Sequence, residues 1–369
     1  VAVSPDGKRA ACAVARLDET RAKLVSDLWL VALDGAPATQ LTRGKYNDRA
    51  PCFRRDGSLA FLSNRPVKDQ GLEEPGAQPA DDEERDPVWL FPAGDARGEP
   101  RPLTDEALGV GAFRFAPRGD LLVVVTTVLP GVSPADQRAR AKDLEKNGPS
   151  DLHYGNRAGP IRHWDHWLGR ARTHVIAYDD RGRNRRDLTP DADREYRGDF
   201  QFAVSQQGAW VAVVERVASD DRLIDPSIRL LDAKDGSSRR VAHGLQVEHG
   251  NPLFSREGTK IYFNRQRRSR ERHGKVELCV ADVASGATTV LCENWDRWPV
   301  PQAALEDGLV VTADDQGAVP VFLVKRDGAV VRVTSTASGG THDGLSATED
   351  GRIVGIRHTL RSPPEPFVV

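Results

Sequence analysis

A short phrase that recurs along the whole chain constrains its fold more than any other feature. The phrase first reads Ser4-Pro5-Asp6-Gly7 and is followed by an apolar segment, residues 9–15. Related phrases, each ending in glycine, return at Gly57, Gly119, Gly208, Gly258, Gly308 and Gly351. A period of this kind is typical of repeat architectures. Because glycine adopts the positive φ of a tight turn and aspartate bonds the nearby backbone, each phrase predicts a β-hairpin.

A second phrase, an apolar residue followed by threonine, ends several of the repeats. It occurs as Leu41-Thr42, Leu103-Thr104, Leu188-Thr189 and Val333-Thr334. Alternating strand patterns such as residues 27–33 precede it, so each repeat holds about four strands, the number in a propeller blade. Seven repeats predict an all-β fold, a seven-bladed β-propeller with TolB/WD40-like four-stranded blades.

We expect one domain over all 369 residues, because the repeat runs through the whole length. The predicted blades span about 1–44, 47–105, 111–190, 199–243, 249–293, 299–335 and 341–369. The second blade carries a polar insert, residues 66–87, which we interpret as a solvated loop. The third carries a longer insert in which Ser133 as N-cap and Pro134 at the first helical position predict the start of a short surface helix that ends near Gly148.

Charge and composition exclude several function classes. The chain has 52 basic and 54 acidic residues, which gives no support to nucleic-acid or membrane-surface binding. No apolar run reaches the roughly 20 residues of a membrane helix. The four cysteines lie in separate parts of the sequence, unlike a secreted disulfide framework. We therefore expect a cytoplasmic protein.

Motifs for a bound metal or cofactor are absent from the sequence. There is no Cys-x-x-Cys or His-Glu-x-x-His pattern, and we expect no metal and no cofactor. A basic run, residues 265–274, is interpreted as a solvated hairpin loop in preference to a phosphate-binding patch. A hydrolase would carry Gly-x-Ser-x-Gly, and no such segment occurs, so we expect no catalytic residue in this chain.

Two aromatic clusters are the candidates for a binding role. Their members are Arg162, Trp164, Asp165 and Trp167 in the first, and Trp295, Asp296 and Arg297 in the second. One interpretation is that the tryptophans fix an insert to the propeller, and the other is that they line the mouth of a central channel. Arg49, where the chain begins the second blade, is a further candidate on the same face. Cys279 and Cys292 flank the turn at Ser285, and we expect them to face each other across adjacent strands as free thiols.

The order of these motifs resembles a known family. The glycine and threonine phrases, the Arg-x-Trp-Asp-x-Trp stretch at 162–167, Trp295-Asp296-Arg297 and the run 315–322 follow one another as in the N-terminal propeller of prolyl-oligopeptidase-family serine peptidases. The acylaminoacyl-peptidase or dipeptidyl-peptidase-5-like branch is the most similar. The final segment, residues 362–369, resembles the strand that precedes the catalytic α/β-hydrolase domain in that family.

The resemblance implies a supporting role. The family's catalytic serine, aspartate and histidine lie in the hydrolase domain, which this chain does not include, so the chain is expected to be a piece of a longer protein. The propeller would cap the active site of that partner domain and restrict access to short peptides. Two alternatives are open: a free-standing TolB-like propeller that binds a protein partner, and a propeller enzyme with a metal in its channel.

Overall fold

The computed structural model describes residues 1–67, 86–92, 98–148, 162–163, 166–167, 170–190, 201–218, 224–268, 273–335 and 339–369. Within these residues, seven antiparallel sheets follow one another along the chain, and each is one blade. Six blades have four strands and the seventh has three, so the predicted seven-bladed β-propeller is confirmed.

The first three blades occupy residues 2 to 187. Blade 1 contains β1 (Ala2–Val3), β2 (Arg9–Leu17), β3 (Leu24–Ala32) and β4 (Thr39–Gln40). Blade 2 contains β5 (Arg49–Phe53), β6 (Leu59–Leu62), β7 (Val88–Leu90) and β8 (Arg101–Pro102). Blade 3 begins with β9 (Val110–Phe115) and β10 (Leu122–Val128). Its insert holds α1 (Gln137–Asn147) and the hairpin of β11 (Arg162–His163) and β12 (His166–Trp167), and the blade ends with β13 (Arg172–Tyr178) and β14 (Arg186–Asp187).

The other four blades complete the ring. Blade 4 contains β15 (Phe202–Val204), β16 (Trp210–Ala218), β17 (Ile224–Asp232) and β18 (Ser238–Ala242). Blade 5 contains β19 (Val247–Phe254), β20 (Lys260–Arg268), β21 (His273–Asp282) and β22 (Thr288–Leu291). Blade 6 contains β23 (Val300–Ala304), β24 (Gly308–Thr312), β25 (Val321–Lys325) and β26 (Val330–Arg332). Blade 7 contains β27 (Thr341–Ala347), β28 (Ile353–Thr359) and β29 (Ser362–Val368).

The first strand of each blade is its inner strand, and the inner strands contact one another in ring order. β1 contacts β5, β5 contacts β9, and the series continues to β27, which contacts β1. The ring has two faces. The turn face carries the hairpins from first to second and from third to fourth strand, and the loop face carries the other connections.

The threonine phrase has a physical role that explains its recurrence. In blades 1, 2, 3 and 6 its hydroxyl accepts a hydrogen bond from a backbone N–H of the third strand. The donor–acceptor pairs are Leu28–Thr42 at 2.9 Å, and Val88–Thr104, Val175–Thr189 and Val321–Thr334 at 3.0 Å each. All four bonds are buried, so the hydroxyl satisfies a donor that the short outer strand no longer reaches.

Hydrophobic side chains fill the spaces between blades. Within the described residues, six clusters of buried apolar side chains each join two neighbouring blades, from blades 1 and 2 to blades 6 and 7. Between blades 3 and 4, for example, Val123 and Val125 of β10 pack with Val213 and Leu231. Because side chains alternate along a strand, the other face of β10 packs on blade 2 through Leu122 and Val124.

Blade 7 meets blade 1 at the seam where the two ends of the chain come together. Ser346 Oγ donates to the carbonyl of Val1 at 3.0 Å, and Arg352 Nη2 donates to the carbonyl of Gly7 at 2.7 Å. The outer position of blade 7 is occupied by β29, whose sequence includes Pro363, Pro364 and Pro366. Proline lacks an N–H group, so this edge is a poor template for pairing with a further strand.

The predicted helix is present with a later first residue. α1 begins at Gln137, and Ser133 lies in the turn before it. The Oγ atom of Ser133 accepts a hydrogen bond from the Asp136 N–H at 3.3 Å. The Gln137 side chain is buried, because its amide bonds the backbone of Leu129 and Val132 at 2.7 to 3.0 Å. Sequence reasoning treated this helix as wholly superficial, whereas one glutamine anchors its start.

The predicted pairing of Cys279 with Cys292 is wrong. Cys279 lies opposite Val290 in the β21–β22 ladder, since the turn between Asp282 and Ala287 sets a register two residues away from the expected one. All four cysteines of the chain are free thiols. Burial raises the pKa of both Cys279 and Cys292 to about 11.

Candidate functional site

The two faces of the ring are built differently. The long connections of blades 2 and 3 both join a second strand to a third strand, and their described ends, at residues 63–67, 86–87, 129–148 and 170–171, leave and re-enter the blades at the loop face. Most of the predicted insert 66–87 lies outside the described residues. The turn face is formed by tight hairpins, such as that at Gly7, whose φ is +66°. Binding surfaces in repeat folds commonly lie on the face that carries the insertions.

On the turn face, hairpins from opposite sides of the ring touch. Arg118 Nη2 of blade 3 lies 3.2 Å from Glu349 Oε1 of blade 7, although these blades are not neighbours in the ring. The Arg118 N–H also donates to the carbonyl of Gln206 in blade 4 at 2.8 Å. A Cβ atom on Gly119 would lie 2.2 Å from the carbonyl oxygen of Gln207, so only glycine fits there. The hairpins therefore narrow the central axis at this face.

The second aromatic cluster divides into a core part and an exposed part. Trp295 packs edge-on against Phe322, with ring centroids 4.9 Å apart, in the core between blades 5 and 6. Asp296 is exposed and pairs with Arg297 at 2.5 Å. Trp298, three residues after Trp295, is 55% exposed and lines a cavity. Trp295, the predicted candidate, is therefore a core residue, whereas Trp298 faces solvent.

Arg297 belongs to an ion-pair network of blade 6. Its Nη2 lies 2.9 Å from Asp315 Oδ1, and Arg332 Nη1 lies 2.5 Å from Asp315 Oδ2. Hydrogen bonds from Arg297 and Arg332 hold the pKa of the Asp315 carboxyl below its usual range. Asp315 therefore stays ionised and fixes two arginines at the loop face, one from the connection before β23 and one from the end of β26.

The other predicted candidates are distributed around the ring. Arg49 lies at the start of β5 and pairs with Asp86 at 2.5 Å. Arg162 and Trp167 are backbone partners in the β11–β12 hairpin, and nothing further is described of their side chains. Trp164 and Asp165 lie outside the described residues.

A cavity of 390 Å³ opens on the loop face between blades 4, 5 and 6. The residues that line it come from strands of blades 4 and 5, from the start of β23 and from loop-face connections, and include Gln201, Glu248, His249, Asn251, Asn264, Trp298 and Asp314. Polar groups, two carboxylates and one exposed indole thus converge at one place. The sequence-based candidates include Trp295, Asp296 and Arg297 but neither Trp298 nor the other lining residues, because the fold joins segments around residues 201, 250, 264, 298 and 314 that no local pattern links.

A chain of amide hydrogen bonds fixes the floor of this cavity. Gln201 Oε1 accepts from the Asn251 N–H at 2.5 Å, and Asn251 Nδ2 donates to Asn264 Oδ1 at 2.8 Å. Asn264 Nδ2 then donates to the carbonyl of Pro299 at 2.7 Å. Asn251 has a positive φ of 54° at a β-bulge of β19. The Asn-Pro dipeptide at 251–252 was the available sequence signal for this irregular position.

His249 is a structural residue of the same cavity wall. Its Nδ1 lies 3.1 Å from the carbonyl of Pro226, and its ring lies 5.9 Å from the Phe263 ring. Burial lowers the pKa of His249, so the ring is neutral near pH 7. Glu248 pairs with Arg268 at 2.9 Å, and Arg268 also pairs with Asp225 at 2.5 Å.

The basic run 265–274 was predicted to be a solvated loop, but its described residues lie in strands β20 and β21. Within the run, Arg265 pairs with Glu277 at 2.8 Å.

A second cavity, of 670 Å³, lies beside the outer strand of blade 3 and the start of α1. His174 Nδ1 lies 2.7 Å from Asp187 Oδ2 in its wall. Glu106 accepts from Tyr178 Oη and pairs with Arg185 at 3.0 Å. Burial and the Glu106 carboxylate raise the pKa of Tyr178, which keeps the phenol protonated. Each polar group here has a partner of its own, which is typical of a structural network.

Among the residues that the structure describes, no three histidine, cysteine, aspartate or glutamate side chains are grouped as metal ligands would be. Within the same part of the chain, no helix is long and apolar enough to cross a membrane.

Comparison with known proteins identifies similar propellers in peptidases. Dipeptidyl-peptidase 5 of Porphyromonas gingivalis is 24% identical over 307 residues, which are 80% of this chain and 41% of that protein. Acylaminoacyl peptidase of Pyrococcus horikoshii superposes with a TM-score of 0.66 at 13% identity, over 98% of this chain and 49% of that one. The propeller domain of the trilobed protease of Pyrococcus furiosus, described as having an open velcro topology, gives 0.63 at 12% identity, over 98% of this chain and 90% of that one.

No protein-family model matches the chain. The chain spans about half or less of the length of dipeptidyl-peptidase 5 and of acylaminoacyl peptidase. It is a seven-bladed β-propeller that resembles the propeller domain of prolyl-oligopeptidase-family peptidases.

Proposed function

We propose that this chain is the non-catalytic propeller domain of a serine peptidase of the acylaminoacyl- or dipeptidyl-peptidase type. The observation that carries the proposal is the match to dipeptidyl-peptidase 5, which extends over 80% of this chain but only 41% of that protein. The matched part of the relative leaves room for a further domain. The partner of this propeller would be an α/β-hydrolase domain that supplies the serine, aspartate and histidine.

The propeller would cap the active site and admit short peptides. The ion pair of Arg118 and Glu349 across the ring supports this role, because it obstructs the axis at the turn face. An axis narrowed in this way would exclude folded proteins and favour extended peptides, which have the width of one strand. The four free thiols support a cytoplasmic location, since that compartment keeps cysteines reduced.

Peptide contacts would lie on the loop face. Trp298 offers an exposed indole beside the carboxylates of Glu248 and Asp314, and Arg297 is held next to it by Asp315. An aromatic rim with fixed polar groups is typical of peptide-recognition surfaces. Arg49 and the stretch 162–167 are proposed as further gating elements of this face.

The catalytic part of the proposal is tested with two proteins, the 369-residue chain and the product of its full coding sequence. We expect the chain alone to hydrolyse neither acylaminoacyl nor dipeptidyl anilides nor a small ester, because it has no nucleophile elbow. The full-length product should hydrolyse them and be inactivated by a serine-reactive phosphonate. Inhibitor-sensitive esterase activity from the chain alone would overturn the assignment, as would a full-length product without a Gly-x-Ser-x-Gly segment.

The gating part is tested in the full-length protein with Trp298→Ala and Arg297→Ala. We expect kcat/KM for peptides of different length to change about 5- to 50-fold, while turnover of a small ester changes less than about twofold, since the ester needs no propeller contact. Leu245→Ala is the matched control, because Leu245 is 79% exposed on the same face and lies outside the cavity. Equal effects on ester and peptides would contradict the gating role.

A further inference from the structure

Four arginines surround a depression on the turn face between blades 2 and 3. Its volume is 440 Å³, and its lining consists of Arg54, Arg101, Pro102, Leu103, Arg181 and Arg183. Arg54 comes from the first hairpin of blade 2, Arg101 from β8, and the other two from the hairpin that joins β13 to β14. Three separate segments thus direct guanidinium groups to one concave place.

The hairpin that carries Arg181 and Arg183 is fixed from within. Asp179 Oδ1 accepts from the Arg181 N–H at 3.0 Å and from the Arg183 N–H at 2.7 Å. Between them Gly182 has a φ of +75°, and a Cβ atom there would lie 2.1 Å from the Leu103 carbonyl oxygen. The hairpin is therefore held against blade 2, which presets the distance between its arginines and Arg101.

The hairpin is also tied to blade 2 by a side chain. Arg54 Nη1 donates to the carbonyl of Asp180 at 3.0 Å, and the same guanidinium pairs with Asp56. The charge of Arg54 is balanced by that carboxylate, whose pKa is lowered chiefly by the hydrogen bond from Arg54. Arg54 acts as the brace of the depression, and its charge is already compensated.

The remaining three arginines have no carboxylate partner among the described residues. Arg101, Arg181 and Arg183 are exposed, and no ion pair joins any of them to an acid in that part of the chain. The nearby acids are engaged elsewhere: Asp179 accepts from the backbone and Asn184, and Asp180 lies 3.7 Å from Arg55. Like charges held close together repel, and a bound anion relieves that repulsion.

We propose that this depression binds an oxyanion of the phosphate type. Guanidinium groups present paired N–H donors that match phosphate oxygens, and Arg is the residue that proteins use for such planar, bidentate contacts. The lining has no aromatic ring and no acceptor side chain, which disfavours an apolar or cationic ligand. The site lies on the face opposite to the proposed peptide contacts, so the inference is independent of the proposed function.

Binding is measured by isothermal titration calorimetry on the 369-residue chain, with inorganic phosphate and pyrophosphate at constant ionic strength in chloride. We expect saturable binding of one equivalent that is weakened at least 10-fold in the triple variant Arg101→Gln, Arg181→Gln and Arg183→Gln. The charge-matched control carries Arg21→Gln, Arg256→Gln and Arg361→Gln, three arginines outside the depression, and should bind as the unmodified chain does. Circular dichroism melting of both variants verifies that each is folded.

The two anions distinguish the source of the phosphate group. Pyrophosphate binding at least 10-fold tighter than phosphate identifies a polyphosphate ligand, since three arginines then contact two groups. Similar affinities identify a single phosphate group. Absence of saturable binding would overturn the proposal, because the chain would then have no site. An equal loss of affinity in the charge-matched control would overturn it as well, because the binding would then be a general attraction between opposite charges.

Discussion

The seam between blades 7 and 1 differs from the six interfaces inside the ring. Between blades 3 and 4, large apolar side chains such as Val123, Phe202 and Leu231 form a buried cluster. At the seam, Ala11 belongs to the cluster of blades 1 and 2, so the small residues Ala10 and Cys12 face blade 7, together with the partly buried Trp29 that lies opposite Cys12 in β3. The described bonds across the seam are polar, from Ser346 to Val1 and from Arg352 to Gly7.

The comparison indicates where the ring is weakest. Apolar burial contributes roughly 25 cal/mol per Å², whereas a hydrogen bond exchanged with water contributes about 1 kcal/mol net. We therefore expect a seam formed by the small side chains of β2, a partly buried Trp29 and a few hydrogen bonds to separate at a lower free energy than an interior interface. A ring with one weak interface opens locally there while its other blades stay packed.

The largest expected effect comes from one substitution made at both kinds of interface. Val213 of β16 faces blade 3, Val354 of β28 faces blade 1, and neither side chain is exposed. We expect Val213→Ala to lower the free energy of unfolding by about 2–3 kcal/mol, since it removes two methyl groups from a packed cluster. Val354→Ala should cost about 1 kcal/mol, because the seam relaxes around it.

Urea denaturation of the two variants and the unmodified chain provides the measurement. The difference between them should be at least about 1 kcal/mol with unchanged m-values. An equal or larger loss for Val354→Ala would show that the seam is as tightly packed as the interior.

A middle-sized effect is expected where a threonine hydroxyl replaces a ladder bond. Thr189→Val keeps the shape of the side chain but leaves the Val175 N–H buried without an acceptor. We expect a loss of about 1–3 kcal/mol in the free energy of unfolding. Thr39→Val is the control, because Thr39 is exposed in the outer strand of blade 1, and its cost should stay within about 0.5 kcal/mol. A neutral Thr189→Val would mean that the threonine phrase has no energetic role.

The smallest effect concerns exchange of backbone amides at the seam. Arg352→Gln removes the bond to Gly7, and Arg326→Gln removes a comparable turn-face pair, 2.8 Å to Glu257, between blades 5 and 6. Each should change global stability by less than about 1 kcal/mol, as exposed pairs do. Hydrogen exchange should accelerate in β1 and β28 for the first variant only, since an apolar cluster holds blades 5 and 6 together. If amide exchange accelerated equally in both variants, or in neither, the seam would not differ in local stability from the interface of blades 5 and 6.

The candidate site was less predictable than the fold. Arg297 and Arg49 could be assigned to the loop face from their places before inner strands, and the structure gives both an ion-pair partner. Trp298 became a candidate only when the fold brought it to the same cavity as Glu248 and Asn251. No local pattern joins Trp298 to the other two, because it precedes blade 6 whereas Glu248 and Asn251 lie in β19 of blade 5.

Features that depend on neighbouring residues could be predicted from the sequence, and features that depend on long-range packing could not. The blade number and the hairpins could be read from the amino-acid sequence, because glycine turns and threonine-ended strands depend on neighbours within a few residues. The Cys279–Val290 register and the buried role of Gln137 could not, since they depend on turn geometry and on an insert that folds back. The seam, the contact of Arg118 with Glu349 and the arginine depression arise in the folded ring, because ring closure sets the distances between blades that are far apart in sequence.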